Sequence, residues 1–416
     1  MSKKMLVGFI GAGFITKFQR QALRQIPNAE LVGVYALKGA KELAEAVRAD
    51  GGDCRVYDSV AELCQNCDVI AIFVPNMARI EVMEQIAAAV KAGAPVKGVI
   101  CEKPLGRNVA EAKKMVALAR EAGLFTAYFE NQIFMKANAV ALAQLARVQK
   151  TMGPLTLVRT AEEHGGPHEP WFWDPTRQGG GVGTDMLCHC TAVARHLLTP
   201  PGKLPDFLQP ISVQATTALL KWGQPKYREE LKTRMGVDYL QTPADDYCTA
   251  VVKFLNPETK QVIVAQCTSS WMFDKQGLRL SMEGMGPGYA FEVNTLQSPL
   301  SVFIADAAAD AIADGESALE KATATRGLLV VQPNEADLYG YTEEMADAIE
   351  AFSQGRDGFL SWEYGLEITK LVMACYLAAE KGVTLDLTDQ GVQTDLETYI
   401  SLIAQGKGHG VLGVQA

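Results

Sequence analysis

The sequence predicts an α/β protein of two domains: a doubly wound parallel sheet over residues 1–132, then an α+β domain with an open, mostly antiparallel sheet over residues 133–416. Three observations support this prediction. The chain has 416 residues, more than one hydrophobic core usually serves. Up to about residue 130, short apolar runs alternate with amphipathic helical stretches. Beyond residue 150, strand-like runs follow one another directly, although the final helices are able to pack back on the first domain.

The N-terminal strands are rich in Val and Ile and are apolar on both faces. Strands of this kind lie in a parallel sheet that helices cover on both sides. The expected strands are 6–10, 30–35, 69–74, 98–101 and 125–129, and the expected helices are 15–26, 39–49, 78–92 and 108–122.

The C-terminal half begins with a helix near 136–149. Residues 164–181 are rich in Trp, Gly and Pro, which is typical of an ordered functional loop, and the charged stretch 222–245 reads as an excursion between two strands. The expected strands are 155–160, 211–217, 247–254, 261–270, 278–282, 289–293 and 327–331, with closing helices near 341–354 and 363–381.

The composition, 48% hydrophobic and 21% charged, is that of a globular protein. A net charge of -9 disfavours nucleic acids and membrane surfaces as partners, because phosphate-rich surfaces attract Lys and Arg. No apolar run approaches the roughly 20 residues that span a bilayer, so we expect a cytoplasmic protein. We expect the nine cysteines to be free buried thiols; Cys64 and Cys67 have redox or zinc spacing but lack a second pair.

A glycine-rich turn follows the first strand and opens a helix. Gly11 permits the tight turn, and Gly13 lets a pyrophosphate approach the backbone and the helix N-terminus, next to Phe14 and Ile15. Thr16 replaces the third glycine of the usual pattern, which we expect to loosen the packing of helix on strand. The turn therefore predicts a dinucleotide site.

The end of the second strand lacks the carboxylate that usually holds the ribose hydroxyls of NAD. Ala36 occupies that place, and Lys38 follows it. A cation there suits the 2′-phosphate of NADP, although Lys38 can equally be a solvated loop lysine. The cofactor is predicted to be NAD or NADP, with a slight preference for NADP.

Three further motifs complete the pattern of a known family. The chain resembles the glucose-fructose oxidoreductase and inositol dehydrogenase family from residue 6 to about residue 382. The motifs are Cys101-Glu102-Lys103-Pro104-Leu105 at the end of the expected strand 98–101, Pro75-Asn76 after the expected strand 69–74, and Gly179-Gly180-Gly181 followed by Asp185 and His189.

The resemblance implies a nicotinamide-dependent oxidoreductase with an N-terminal Rossmann domain and a C-terminal domain for substrate binding and oligomerisation, assembled as a homo-oligomer. It implies that Pro75, Asn76 and Glu102 contact the cofactor together with the glycine turn and Lys103. It also implies that Lys103 orients and polarises the reacting hydroxyl and that His189 takes its proton. Asp185 is then a substrate ligand or a partner in proton relay.

The chemistry of these residue types agrees with the resemblance. Oxidising an alcohol requires a base near neutrality, and histidine has the suitable pKa. Asp185 and His189 are four residues apart, so on a helix they share one face. Lys103 lies at the carboxyl end of a parallel strand, where open α/β sheets place their ligands. We expect Pro104 to form a cis or otherwise fixed turn that aims the lysine.

Further side chains are candidate substrate ligands. Trp171 and Trp173, with Phe172 between them, can stack on a sugar ring or anchor the loop to the core. His164, His168 and Asn131 can bind substrate hydroxyls. No metal is expected; as an alternative, the ligand types of His164, His168, Asp185 and His189 would suit zinc or manganese.

The sequence also departs from the family in several places. After Pro75-Asn76, where relatives often carry histidines, it has Met77 and Arg79, so that part of the site is altered. Before the triple glycine, Phe172 replaces the arginine of the common Trp-Arg-x-Asp-Pro pattern. The function predicted overall is hydride transfer between nicotinamide and a ring hydroxyl of a sugar, cyclic polyol or glycoside. The alternative is a nicotinamide-dependent glycosidase that oxidises its substrate transiently, eliminates and re-reduces.

Overall fold

The computed structural model describes residues 4–274, 278–295, 298–305, 327–330 and 339–414. The chain divides into two compact units. The first comprises Met1–Phe134 and Tyr339–Thr369, and the second comprises Met135–Leu338 and Lys370–Ala416.

Each unit contains one β-sheet. The strands of the first unit are β1 (Met5–Ile10), β2 (Ala29–Tyr35), β3 (Arg55–Val56), β4 (Val69–Ile72), β5 (Gly98–Glu102) and β6 (Phe125–Phe129). Those of the second unit are β7 (Leu157–Glu163), β8 (Gln209–Ala218), β9 (Tyr247–Leu255), β10 (Val262–Ser270), β11 (Arg279–Gly286), β12 (Tyr289–Asn294), β13 (Ser298–Ile304), β14 (Gly327–Val330) and β15 (Leu385–Asp386).

The α-helices follow in chain order. They are α1 (Phe14–Arg24), α2 (Ala40–Ala49), α3 (Val60–Cys64), α4 (Arg79–Lys91), α5 (Val109–Glu121), α6 (Lys136–Met152), α7 (Pro175–Gln178), α8 (Cys188–Leu198), α9 (Pro225–Met235), α10 (Tyr341–Ser353), α11 (Trp362–Lys381), α12 (Gln390–Thr398) and α13 (Gly408–Leu412).

The first unit is built on a parallel sheet of six strands in the order β3-β2-β1-β4-β5-β6. Every residue of β4 and β5 is buried, because helices cover both faces, and this explains their continuous apolar sequences. The strand order reverses between β1 and β4, and at such a switch point the crevice beyond the carboxyl ends of the strands is the usual ligand site. The segments after β1, β4 and β5 carry the glycine turn, Pro75-Asn76 and Lys103.

The second unit is built on a nine-stranded sheet in the order β14-β13-β12-β11-β7-β10-β9-β8-β15. All neighbouring pairs are antiparallel except β7 and β10, which are parallel. Along β9 buried and less buried residues alternate, so one face of the strand points into the core. The helix α8 packs on β7 and β10 and is buried along almost its whole length.

The predicted fold class is confirmed, and the predicted strands fall on observed ones. Three strands were missed: β3 and β15 have two residues each, too few to show a periodicity, and β13 contains a proline, which argues against a strand. The last residue of the predicted strand 327–331 lies outside the described residues. All nine cysteines are free and buried, as predicted. Within the described ranges, no helix is long and apolar enough to span a membrane.

Candidate active site

The glycine turn after β1 is shaped for close backbone approach. Gly11 has a φ of 113°, and a Cβ there would lie 2.3 Å from the carbonyl oxygen of Phe73, so the turn after β1 touches the end of β4. A Cβ on Gly13 would meet nothing within 4 Å. Gly13 caps α1 without a side chain, which leaves open space at the helix N-terminus. These features fit a bound pyrophosphate.

Thr16 does not disturb this turn. Its side chain is buried in the first turn of α1, and its hydroxyl donates to the carbonyl oxygen of Gly13 at 2.6 Å. The sequence predicts that Thr16 loosens the packing of helix on strand, but in the structure its side chain is buried in the interior. Its hydroxyl forms a local hydrogen bond, so no polar atom of the side chain is left without a partner. The neighbouring Phe14 is 54% exposed, and Ile15 packs against the core.

The segment between β2 and α2 lies beside the glycine turn. Gly39, the N-cap of α2, has a φ of 77°, and a Cβ on it would lie 3.3 Å from the carbonyl oxygen of Ala12. Lys38 is exposed, and Ala36 is partly buried against the core. The structure thus places Lys38 next to the turn that would hold the cofactor phosphates.

Lys103 follows directly on β5, and the bond between Lys103 and Pro104 is cis, in agreement with the fixed turn expected. The turn is held by Arg79, the first residue of α4, which is buried. Its Nη1 donates to the carbonyl oxygen of Glu102 at 2.6 Å and also to that of Pro104, and its Nη2 donates to the carbonyl oxygen of Lys103 at 3.1 Å. Its Nε donates to the carbonyl oxygen of Val74 at 3.3 Å.

A buried cluster of carboxyl groups adjoins Lys103. The amide nitrogen of Gln19 donates to Glu102 at 3.0 Å and to Glu344 at 2.9 Å, and all three side chains are buried. Burial raises the pKa of Glu102 to about 7, and the positive charge of Lys103 opposes the rise. Burial likewise raises the pKa of Glu130 to about 8, again opposed by Lys103. Burial and the nearby Glu102 raise the pKa of Glu344.

This cluster predicts a loss of stability at alkaline pH. The folded pKa values of Glu102 and Glu130 lie above the value of 4.5 for a free carboxyl, so the stability they contribute is present below that value and is lost as the pH rises through about 7 and 8. Glu130→Gln, which is neutral at every pH, should lose less thermal stability between about pH 6 and pH 9 than the wild type, by about 3 °C in Tm or more. Differential scanning fluorimetry measures this, with the exposed Glu84→Gln as control. Parallel curves for wild type and Glu130→Gln would contradict the shifted pKa.

Two buried side chains of the second unit, Asp245 and Tyr376, hold the backbone at the triple glycine by hydrogen bonds. The carboxylate of Asp245 accepts the N–H groups of Gly181 at 3.0 Å and Gly183 at 2.8 Å, and the hydroxyl of Tyr376 donates to Asp245 at 3.0 Å. A Cβ on Gly181 would lie 2.2 Å from the carbonyl oxygen of Asp245. Glycine is therefore required here by close approach of the backbone.

These hydrogen bonds hold the start of the segment that bears Asp185 and His189. Gly183–Leu187 is a π-helical turn that continues directly into α8. Asp185 therefore lies on the π-helical turn, and His189 lies in the first turn of α8. The sequence predicts one regular helix here, and the structure differs from that prediction. Turns of this π-helical kind are frequent at functional sites. Both side chains are buried, and Trp271 donates its indole N–H to Asp185 at 3.3 Å.

The aromatic residues of the loop divide into two groups. Trp173 is fully buried, contacts Trp222 and Trp271 with ring centroids 4.8 and 5.0 Å away, and donates its indole N–H to the carbonyl oxygen of Pro167. It anchors the loop to the core, the second of the two roles considered for these aromatics. Trp171 stacks on Phe172 at 3.8 Å, and both keep partial exposure.

His164 and His168 differ in their surroundings. The Nδ1 of His164 accepts the N–H of Gly166 at 2.9 Å, so the neutral ring carries its proton on Nε2. His168 is exposed. Asn131, in the first unit, donates its amide to the carbonyl oxygen of Tyr339 at 2.8 Å.

The structure brings no metal centre together in the parts of the chain that it describes: no group of three or more His, Cys, Asp or Glu is arranged to hold an ion. Cys64 and Cys67 are buried, and burial raises the pKa of each thiol to about 12. A thiol with so high a pKa is a poor nucleophile and a poor metal ligand at neutral pH.

Five important side chains were missed or misjudged in the prediction from sequence. Gln19, Glu344, Asp245 and Tyr376 carry no motif of their own, and each acts on residues distant in the chain. Arg79 was identified only as a departure that alters the site. An arginine in the first turn of an expected helix, where its charge opposes the helix dipole, is the signal that could have raised its importance.

The glycine turn at the switch point of a six-stranded parallel sheet defines a dinucleotide-binding protein of the Rossmann class. Residues 5–129 match the model of an oxidoreductase family with an NAD-binding Rossmann fold. Residues 141–285 match the model of the GFO/IDH/MocA C-terminal domain. The chain belongs to this GFO/IDH/MocA oxidoreductase family. The resemblance drawn from the motifs is confirmed, as is a nicotinamide dinucleotide as the cofactor; the choice between NAD and NADP stays a prediction.

Two relatives illustrate how far the similarity extends. A trans-1,2-dihydrobenzene-1,2-diol dehydrogenase of Bos taurus is 31% identical over 188 residues, 44% of this chain and 52% of that protein. A 1,5-anhydro-D-fructose reductase of Ensifer adhaerens is 29% identical over 195 residues, 46% of this chain and 56% of that protein. The chain spans about half the length of these curated relatives.

Solved structures resemble the chain over nearly its whole length. A levoglucosan dehydrogenase in complex with NADH and levoglucosan has a TM-score of 0.70 at 19% identity and covers 93% of this chain and 100% of its own. An aldose-aldose oxidoreductase from Caulobacter crescentus has a TM-score of 0.69 at 18% identity and covers 92% of this chain and 100% of its own. At these identities the likeness shows the shared fold.

Proposed function

We propose that this protein transfers hydride between a nicotinamide cofactor and a ring hydroxyl of a sugar, cyclic polyol or glycoside. The observation that carries the proposal is Lys103, which follows the buried strand β5 at the switch-point edge of the Rossmann sheet and lies beside carboxyl groups. An ammonium in that position is suited to bind and polarise an alcohol oxygen.

The first unit fits the cofactor in its local geometry. The open space at Gly13 and the N-terminus of α1, which no side chain caps, fit a pyrophosphate, and Pro75 and Asn76 follow β4, whose end touches the Gly11 turn. We propose that these residues, with Phe14, Ile15, Ala36, Lys38 and Glu102, hold the dinucleotide. The bound nicotinamide supplies the hydride acceptor or donor.

In the proposed reaction the substrate C–H bond breaks with both electrons leaving as hydride, and the hydroxyl O–H bond gives up its proton. His189 accepts that proton, since a neutral imidazole is the suitable base near neutrality. Lys103 donates a hydrogen bond to the same oxygen and stabilises the negative charge that develops on it. Asp185, held by the Trp271 indole, binds the substrate or passes the proton on from His189.

The names of relatives support the substrate class. Diol dehydrogenase and anhydrofructose reductase are names of proteins that act on vicinal hydroxyl or sugar carbonyl groups. The structural neighbour bound to levoglucosan holds an anhydrosugar. We propose that Trp171, His164, His168 and Asn131 contribute to recognising a polyhydroxylated ring.

The decisive experiment is a substrate panel. Purified protein is incubated with NAD or NADP and a set of aldoses, anhydrosugars, inositols and aryl glycosides, and the absorbance of reduced cofactor is followed. Steady formation of reduced cofactor with at least one cyclic alcohol is the expected result. Aryl glycoside cleavage without net reduction of cofactor would instead support the glycosidase alternative, and inactivity toward the whole panel with bound cofactor would contradict the proposal.

Cofactor choice provides a further prediction. Lys38→Asp should shift the ratio of kcat/KM for NAD over that for NADP upward by at least about tenfold, because it removes a cation that would attract a 2′-phosphate and introduces a carboxylate that repels one. Steady-state kinetics with both cofactors measure the ratio. The control Lys91→Asp makes the same change of charge at the C-terminal end of α4 and should leave the ratio unchanged. An unchanged ratio in Lys38→Asp would identify Lys38 as a solvated loop lysine.

A further inference from the structure

Arg79 is a buried cation in an unfavourable place. It is the first residue of α4, where the helix dipole presents its positive end, so its charge opposes the dipole. The residue is 4% exposed. A buried charge of this kind is tolerated only where polar partners compensate it.

The compensation comes from the backbone of the catalytic turn. The guanidinium donates to three consecutive carbonyl oxygens, those of Glu102, Lys103 and Pro104, and to the carbonyl oxygen of Val74 in the segment after β4. Arginine is suited to this because its planar guanidinium presents five N–H donors in a fixed fork. One side chain therefore ties the Lys103 turn to the segment that precedes Pro75 and Asn76.

We propose that Arg79 is a positioning residue that acts through Lys103, fixing the direction in which its ammonium points. The inference rests on the proposed function of Lys103. Because three successive carbonyl groups converge on one guanidinium, the peptide planes on both sides of Lys103 are fixed, and the Cα–Cβ direction of Lys103 is fixed with them. Misplacing a catalytic group by about 1 Å can cost on the order of a hundredfold in rate.

The first test is Arg79→Lys, which keeps the charge but replaces the fork by a single ammonium. With the panel alcohol that wild type oxidises fastest, kcat should fall at least about tenfold. The Kd of the cofactor, titrated by the fluorescence of the reduced form, should change by a smaller factor than kcat, because the glycine turn proposed to hold the pyrophosphate is untouched. A normal kcat in folded Arg79→Lys, or a loss confined to cofactor Kd, would overturn the inference.

A double-mutant cycle separates positioning from a purely structural role. If Arg79 acts through Lys103, then Arg79→Lys should lower single-turnover hydride transfer by less than about twofold in the Lys103→Met background. Additive losses would overturn the proposal. A normal rate in Lys103→Met alone would refute the proposed function itself, so the two failures are distinguishable.

Stability is controlled with a second arginine of the same unit. Arg20 also donates to a backbone carbonyl, that of Ala46 at 2.9 Å, and lies in the middle of α1. Arg20→Lys should lower Tm but keep kcat within about twofold of wild type, since no catalytic turn depends on it.

If Arg79→Lys does not fold, Arg79→Gln with added guanidinium chloride at millimolar concentration provides the second variant. Recovery of kcat with guanidinium supports the inference, and folded protein that shows no recovery opposes it.

Discussion

Replacing Lys103 by methionine is expected to lower kcat at least about a hundredfold while the protein stays folded and binds its cofactor. Methionine keeps the apolar stem and removes the ammonium, so the substrate oxygen loses the hydrogen bond that stabilises its developing charge. Since this interaction is strongest in the transition state, the loss should fall on kcat more than on KM. Steady-state kinetics on the best panel alcohol provide the measurement.

The matched control for Lys103→Met lies at the other end of the same strand. Lys97 immediately precedes β5, is half exposed and pairs with Asp68 at 3.0 Å. Lys97→Met should keep kcat within about twofold, because an exposed ion pair contributes about 1 kcal/mol or less to stability. A rate for Lys103→Met equal to that of Lys97→Met would remove Lys103 from the chemistry.

The removal of Lys103 also has an electrostatic consequence for the buried acids. Its charge now lowers the pKa of Glu102 and Glu130, against the stronger effect of burial. Without the ammonium, both carboxyl groups should stay protonated to higher pH than in the wild type. The loss of rate in Lys103→Met is therefore to be compared over a range of pH.

The parts of the fold and site that are predictable from sequence are those in which local sequence and local structure coincide. The apolar runs of β4 and β5 are buried on both faces, so their pattern alone indicates a covered parallel sheet. The Gly11 turn is readable because its backbone conformation requires glycine. The turn at Lys103 is readable because its residues form a contiguous motif.

The remaining parts depend on contacts between distant residues. Gln19 and Glu344 are 325 positions apart, and Tyr376 reaches Gly181 over 195 positions. Single polar residues in amphipathic helices give no sign of such partners. Arg79 was hidden for another reason: it binds carbonyl oxygens, which every residue carries, so no complementary side chain marks its target.

The π-helical turn at Gly183–Leu187 belongs with these hidden features. Its sequence predicts a regular helix, and the difference arises where Gly181 and Gly183 donate to the carboxylate of Asp245 just before and within the turn. A tertiary hydrogen bond therefore coincides with the point at which the regular spacing fails. Asp185 lies in the π-helical turn and His189 in the α-helix that follows, so the i, i+4 geometry of a regular α-helix does not describe their relative positions.

His189→Gln is expected to lower kcat at least about a hundredfold. It should also abolish the acid limb of the pH–rate profile, which is the decline of kcat/KM toward acid pH. Glutamine preserves a polar side chain of similar length but cannot accept the substrate proton, so the step that depends on a base loses its acceptor. In the wild type, kcat/KM should fall toward acid pH as His189 becomes protonated, because only the neutral imidazole is a base. The rate of His189→Gln should not follow that decline.

His196 provides the control within the same helix. It is also in α8, and burial lowers its pKa to about 4, so its ring is neutral throughout the range in which the wild type is assayed. His196→Gln should therefore reduce Tm and leave both kcat and the acid limb as they are in the wild type. If His196→Gln and His189→Gln lose the same activity, the loss comes from disturbing α8, and the base must be sought elsewhere. If only His189→Gln loses activity together with the acid limb, proton transfer at this imidazole is the remaining explanation, since His196→Gln makes the same substitution in the same helix.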